Sequence, residues 1–168
     1  MGDIFKEQLV KVAIKPKDKA LKVLLISAIV AEGVLILASS IFIVIGLAAL
    51  IVGEIYLLSC INKEYEYILT NNELDIDVIY NRQRRKKVTT IDLKNISIMA
   101  GINNATYSGE LSNFQKILDL SDGNNTSHTY AIIYPINGEI TKVLITPNEE
   151  MVQLIYRQAP NKVRKNIG

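Results

Sequence analysis

The sequence predicts a membrane-anchored α+β protein, in which a two-helix transmembrane hairpin precedes seven antiparallel strands, split four and three, and a C-terminal helix. Three observations carry that expectation. Residues 20–61 form an apolar run of about forty residues whose only charges are Lys22, Glu32 and Glu54. From Glu64 onward the apolar period changes from helical to two, the signature of half-buried strands. Near the C-terminus Thr146, Pro147 and Glu149 introduce an apolar stripe at helical spacing.

The apolar run sets the anchor. One crossing needs about 20 apolar residues, so this run is too long for one span and suits two. Ala38-Ser39-Ser40, where aliphatic density dips, is the expected reversal, giving spans over residues 20–37 and 41–60. Lysines crowd the N-terminal flank at Lys6, Lys11, Lys15, Lys17, Lys19 and Lys22, and Lys63 with Arg82 to Lys87 follow the run. Basic flanks on both sides predict a multi-pass membrane protein with both termini cytoplasmic.

The 168 residues leave room for one further domain of about 100 residues. A net charge of +2 gives no global field for nucleic acid. The single cysteine, Cys60, excludes a disulfide-stapled secreted domain. Lys6 stands where a myristoylation signal requires Ser or Thr. The triplets at Asn95, Asn104, Asn124 and Asn125 match the glycosylation pattern, but a cytoplasmic domain would not meet that machinery.

In chain order, residues 1–19 form a basic amphipathic segment, with Ile4, Phe5, Leu9 and Val12 at helical spacing. This reads as a short helix at the cytoplasmic headgroups or a tail held there by its lysines. Asp18 is the expected cap of the first span. Within the hairpin Gly33, Gly46 and Gly53 form a small-residue packing surface, within the hairpin or between copies. Strands are expected over 64–69, 74–80, 84–91, 95–100, 115–120, 128–135 and 139–145, with turns at Thr70-Asn71-Asn72, Asn81-Arg82-Gln83, Ser121 to Asn124 and Ile136-Asn137-Gly138. The polar stretch 101–113 divides them four and three. Thr146 as N-cap and Glu149 as capping-box partner begin a helix whose stripe is Met151, Leu154 and Ile155, and which Pro160 ends. Domain limits follow at 20–61 for the hairpin and 62–160 for the cytoplasmic domain. A loose basic tail, 161–168, completes the chain.

The stretch YEYILTNNELDIDVIYNRQRRKKVTTIDLKNISIM resembles the opening half of a bacterial PH-like domain: a tyrosine strand, a T-N turn, a polar second strand, a basic third and an isoleucine-rich fourth. With the opening GDIFKEQLVK, the hairpin and the closing PNEEMVQLIYRQAPNKV, the whole chain resembles a family of small bacterial membrane proteins with a two-helix anchor and a cytoplasmic PH-like domain. That resemblance implies a PH-like seven-stranded barrel and brings no catalytic residues.

No constellation for chemistry is legible. There is one histidine, His128, no Gly-rich phosphate loop and no metal-ligand spacing, so no enzyme activity, cofactor or metal is expected. The sharpest local feature is the basic run Arg82, Arg84, Arg85, Lys86 and Lys87, a candidate surface for anionic lipid headgroups or a protein partner. Alternation along the strand sends Arg84 and Lys86 to one face and Arg85 and Lys87 to the other. Glu32 and Glu54 are candidate intramembrane polar contacts. Glu32 lies ~18 Å into its span and Glu54 ~9 Å from its exit, so they are not level and make no shared ion site. Glu54 could meet Lys22, and Glu32 a neighbouring chain. The expected function is a non-enzymatic, membrane-anchored binding or scaffolding module. The alternative is an accessory subunit of a larger membrane complex, or a homo-oligomer, held through the hairpin.

Overall fold

Two long apolar segments separated by a four-residue break fold as a helical hairpin, α1 over Pro16–Ile36 and α2 over Ile41–Ile61. Each has 21 residues, hence a length of about 31 Å. These and all other descriptions rest on a computed structural model in which residues 4–38, 40–124 and 128–164 are described. Ser39, at the expected reversal, lies outside the described residues; Ser40 is the N-cap of α2, its carbonyl accepting from the backbone of Ile43 and Val44. Asp18 does not cap α1. Pro16 occupies the first turn, where its missing N–H costs nothing, and Asp18 sits inside that turn, where a carboxylate opposes the positive end of the helix dipole.

The hairpin is apolar on its outside. No side chain of α2 is buried, and Phe42 is 84% exposed. By length and composition α2 is apolar enough to cross a membrane; α1 is diluted by Lys17, Asp18, Lys19, Lys22 and Glu32. A Cβ added at Gly33, Gly46 or Gly53 would meet nothing within 4 Å. These glycines therefore do not mediate close approach of α1 and α2, and the reading of them as a packing surface inside the hairpin is corrected.

The chain divides into two units, one of residues 14–63 and 80–84 and the other of 1–13, 64–79 and 85–168. The second unit is built on strands. β1 (Phe5–Lys11), β2 (Lys63–Thr70), β3 (Glu73–Tyr80) and β4 (Arg84–Asp92) form one sheet in the order β1-β2-β3-β4. β5 (Ile98–Gly101), β6 (Lys116–Asp119), β7 (Tyr130–Ile136), β8 (Glu139–Ile145) and β9 (Val163–Arg164) form another in the order β6-β8-β7-β5-β9.

Four expectations change. The N-terminal segment is a strand and not an amphipathic helix: β1 runs antiparallel to β2, from Phe5 opposite Thr70 to Lys11 opposite Glu64. Its apolar residues fit either period, seven residues are too few to hold a helix alone, and β2 offers an edge that needs partners. Lys6 and Gln8 are used inside the fold. The Lys6 ammonium meets Glu150 at 2.5 Å, and Gln8 donates to the Thr146 carbonyl and accepts from the Asn148 N–H.

Second, the described strands number nine in two sheets, not seven in one antiparallel split barrel. β6 pairs with β8 in parallel, and β9 pairs in parallel with β5. Ser121 to Asn124 therefore do not close a hairpin; Asp122 accepts instead from the Ala13 N–H at 2.7 Å. Asn137-Gly138 does close the β7–β8 hairpin, with both residues at positive φ. Third, the tail is not loose at its start, since Val163 and Arg164 are β9; residues 165–168 lie outside the described residues.

Fourth, the closing helix α3 (Glu149–Gln158) begins at Asn148, whose side chain accepts from the Met151 N–H at 2.8 Å. Thr146 is not the cap and Glu149 no capping-box partner; the Thr146 hydroxyl accepts from the Asp122 N–H at 3.1 Å. The buried face of α3 is Met151, Val152 and Ile155, and Leu154 is only half-buried. A face centred on i, i+1 and i+4 is wide enough to cover a sheet.

Tyr67, Leu69, Leu74, Ile76, Ile91, Met99, Ile132, Ile145, Met151 and Ile155 are fully buried in the core. The Tyr67 hydroxyl donates to the Leu120 carbonyl at 2.6 Å and accepts from the Thr146 N–H at 3.1 Å. Burial pushes its ionisation well above the ordinary phenol value, so it stays a neutral donor. The polar stretch 101–113 is an ordered cover. Its Leu111 is buried against Ile98, Ala100, Ala131 and Ile133, and Asn104 and Ser108 cap the two ends of its first short 3-10 turn, Ala105–Tyr107.

Candidate functional site

The basic run begins in a tight turn. Gln83 N–H donates to the Tyr80 carbonyl at 3.0 Å, and Asn81 and Arg82 between them both take positive φ, 49° and 56°. That is a type I′ turn, which asparagine tolerates and arginine enters only under strain. The turn is moored to the end of α2, because Asn81 N–H donates to the Asn62 carbonyl at 2.8 Å.

Beyond the turn, alternation separates the cations as expected, and the two sets meet different chemistry. Arg85 donates from Nε to Asp77 at 2.6 Å and pairs through Nη2 with Glu66. The Lys87 ammonium lies 2.8 Å from Asp75, which also accepts from the Thr90 hydroxyl at 2.5 Å. Partial burial tends to raise the Asp75 carboxyl, but the bonds from Lys87 and Thr90 outweigh it and hold the carboxyl below its usual value. Asp77 and Asp75 in turn raise Arg85 and Lys87. Lys87 and Thr90, three residues apart, both reach Asp75 while Ile91 points into the core, so the alternation slips by one residue between them, as a β-bulge would make it.

Arg84 turns the other way, within the helical unit. Its guanidinium lies 4.8 Å from the centre of the Tyr56 ring, and its Nη2 donates to Ser59 Oγ at 3.2 Å and contacts Cys60 Sγ at 3.8 Å. Ser59 Oγ donates its own proton to the Tyr56 carbonyl at 2.6 Å, which leaves its lone pairs toward Arg84. Arg84 and Lys22 line one recess of about 570 Å³. Its other lining is apolar, as at Ile26, Val52 and Ile55, or neutral and polar, as at Asn62, Asn81 and Gln83.

The five expected surface residues thus do not form one patch. Arg85 and Lys87 are neutralised by carboxylates, Arg84 faces the helical recess, Lys86 is exposed and Arg82 holds the turn. Sequence reasoning missed Tyr56 and Ser59, although a tyrosine near the end of an apolar span is itself an interface signal. Glu32 and Glu54 each keep one carboxylate oxygen buried with no hydrogen-bond partner, and among the described residues no ion pair joins Glu54 to Lys22.

Comparison with known proteins places the chain. Searches of curated proteins and of solved structures return no match. A family model does match, over residues 2–165, nearly the whole length and including both the hairpin and the strands. The chain therefore belongs to the family described as Bacterial PH-like domain (DUF6106).

Proposed function

We propose that this protein is a non-enzymatic binding or scaffolding module, anchored in the bacterial inner membrane by the α1–α2 hairpin and working through its cytoplasmic PH-like domain. A PH-like family supports binding over catalysis. One geometric observation carries the anchoring. β1 precedes the hairpin, β2 follows it, and Lys11 lies opposite Glu64 in their ladder. Both flanks must then lie on the same side of any membrane the hairpin enters. If α2 crosses, α1 has to return the chain, so two crossings are favoured although α1 is the more polar helix. Exposed apolar side chains along both helices, such as Val30, Val34, Phe42 and Ile45, fit lipid better than water. The basic flanks favour a cytoplasmic position for both termini.

A second reading, an accessory subunit docked through the hairpin, draws on the orphan oxygens of Glu32 and Glu54 and the open faces at Gly33, Gly46 and Gly53. A neighbouring helix could supply donors to the former and close contacts to the latter.

Reporter fusions at the two termini and at Ser39 test the anchor in cells. The expected result is inside, inside and outside. Termini on opposite sides would refute the two-span arrangement, and crosslinks from Gly46 to a foreign protein would move the weight to the accessory-subunit reading.

A further inference from the structure

The recess at the base of the helical hairpin differs from the paired cations Arg85 and Lys87. Among its lining residues there are two full positive charges, Lys22 and Arg84, and no carboxylate. Arg84 is held by neutral partners, a tyrosine face and a serine oxygen, which fix its direction without cancelling its charge. A guanidinium has five donors in a planar fork, and the bonds to Ser59 and Cys60 engage one nitrogen of it. An anion with several acceptor oxygens would complete the set.

The chemistry of the lining narrows the kind of anion. Ile26, Val52 and Ile55 supply apolar lining from α1 and α2. Asn62, Asn81 and Gln83 supply neutral polar lining from the end of α2 and the turn moored to it. A free ion would waste the apolar wall. A ligand with a phosphate between the cations, hydroxyl or ester oxygens toward the amides and hydrocarbon along the isoleucines fits all of it. We infer that this recess binds the headgroup and upper chains of one anionic phospholipid from the bilayer that holds the hairpin. The inference rests on the membrane-anchored reading above.

Arg85 and Lys87 cannot do the same work, because Glu66, Asp75 and Asp77 already neutralise them. The basic run therefore contributes one arginine to the site, and the second cation comes from α1, about sixty residues earlier in the chain.

The test uses the full chain reconstituted in phosphatidylcholine bilayers carrying traces of spin-labelled lipid. Labelled phosphatidylglycerol should show a motionally restricted component that labelled phosphatidylcholine lacks. Lys22→Gln and Arg84→Gln should each lower that preference about fivefold, as expected for one cation near a headgroup. Arg84→Lys should keep most of it, and Lys86→Gln should leave it unchanged. Millimolar inorganic phosphate should not displace the lipid. Equal restriction of both lipids, an Arg84→Gln chain that keeps full preference, or a Lys86→Gln loss as large as that of Arg84→Gln would overturn the site. Displacement by phosphate would make it an ion site and overturn the lipid assignment. Alkaline carbonate extraction of the same membranes separates the two levels: a chain that washes off defeats the anchor and the recess together, and a retained chain without lipid preference defeats the recess alone.

Discussion

The strand-built unit and the helical unit solve opposite problems. In the first, Tyr67, Leu69, Ile76 and Ile155 are sealed from solvent, and Arg85 and Lys87 on its surface are matched by carboxylates. In the second, apolar side chains cover the outside and Lys22 and Arg84 face a recess without an acid. Water rewards the first arrangement, because apolar area is withdrawn and charges are screened or paired. A bilayer with anionic headgroups would reward the second, because hydrocarbon would meet hydrocarbon and the two cations would meet phosphate. Arg84 and Arg85 make the contrast at neighbouring positions. One backbone alternation assigns them to the two environments.

The sharpest way to break the comparison is to remove matched side chains from the two apolar surfaces. Ile155→Ala should destabilise the strand-built unit by about 2–5 kcal/mol, read as a lowered urea midpoint of the full chain in detergent. Ile45→Ala, on the outside of α2, should change the same midpoint by less than about 0.5 kcal/mol. Equal losses would mean that both surfaces are interior. A smaller effect is expected at the start of α3, which closes the strand-built unit. Asn148→Ala should cost about 1 kcal/mol, since one buried-end N–H loses its acceptor, and Asn148→Asp should cost far less. A neutral Asn148→Ala would return the capping role to Thr146.

The smallest expected effect is on pH dependence. The folded value of Asp75 lies below its unfolded one, so its contribution is complete above the ordinary carboxylate range and disappears as pH falls through the folded value. Asp75→Asn should therefore lose less of its urea midpoint than the parent chain between neutral pH and pH ~3. An identical loss in both would show that the Lys87 and Thr90 contacts do not stabilise the fold.

Much of the strand-built unit was legible because its signals are local. The two-residue period predicted β2, β3, β4 and β8 to within a residue or two, and Asn137-Gly138 predicted its hairpin. The basic run was also legible as a feature. What it does was not, because the partners of Arg85 lie on β2 and β3, and those of Arg84 lie on α2.

By itself, then, the sequence determined the forty-residue apolar run, the alternating strands, the existence of the closing helix and the membership in a PH-like family. Each depends on hydropathy and spacing over neighbouring residues, which the chain carries wherever it folds. Tertiary structure decided that residues 5–11 are a strand, because only the exposed edge of β2 makes that choice over a helix. It also decided that β6 pairs with β8, that Asn148 and not Thr146 caps α3, and that Lys22 and Arg84 share one recess. These outcomes depend on which donors and acceptors are left over once distant segments meet, and no local pattern records that remainder.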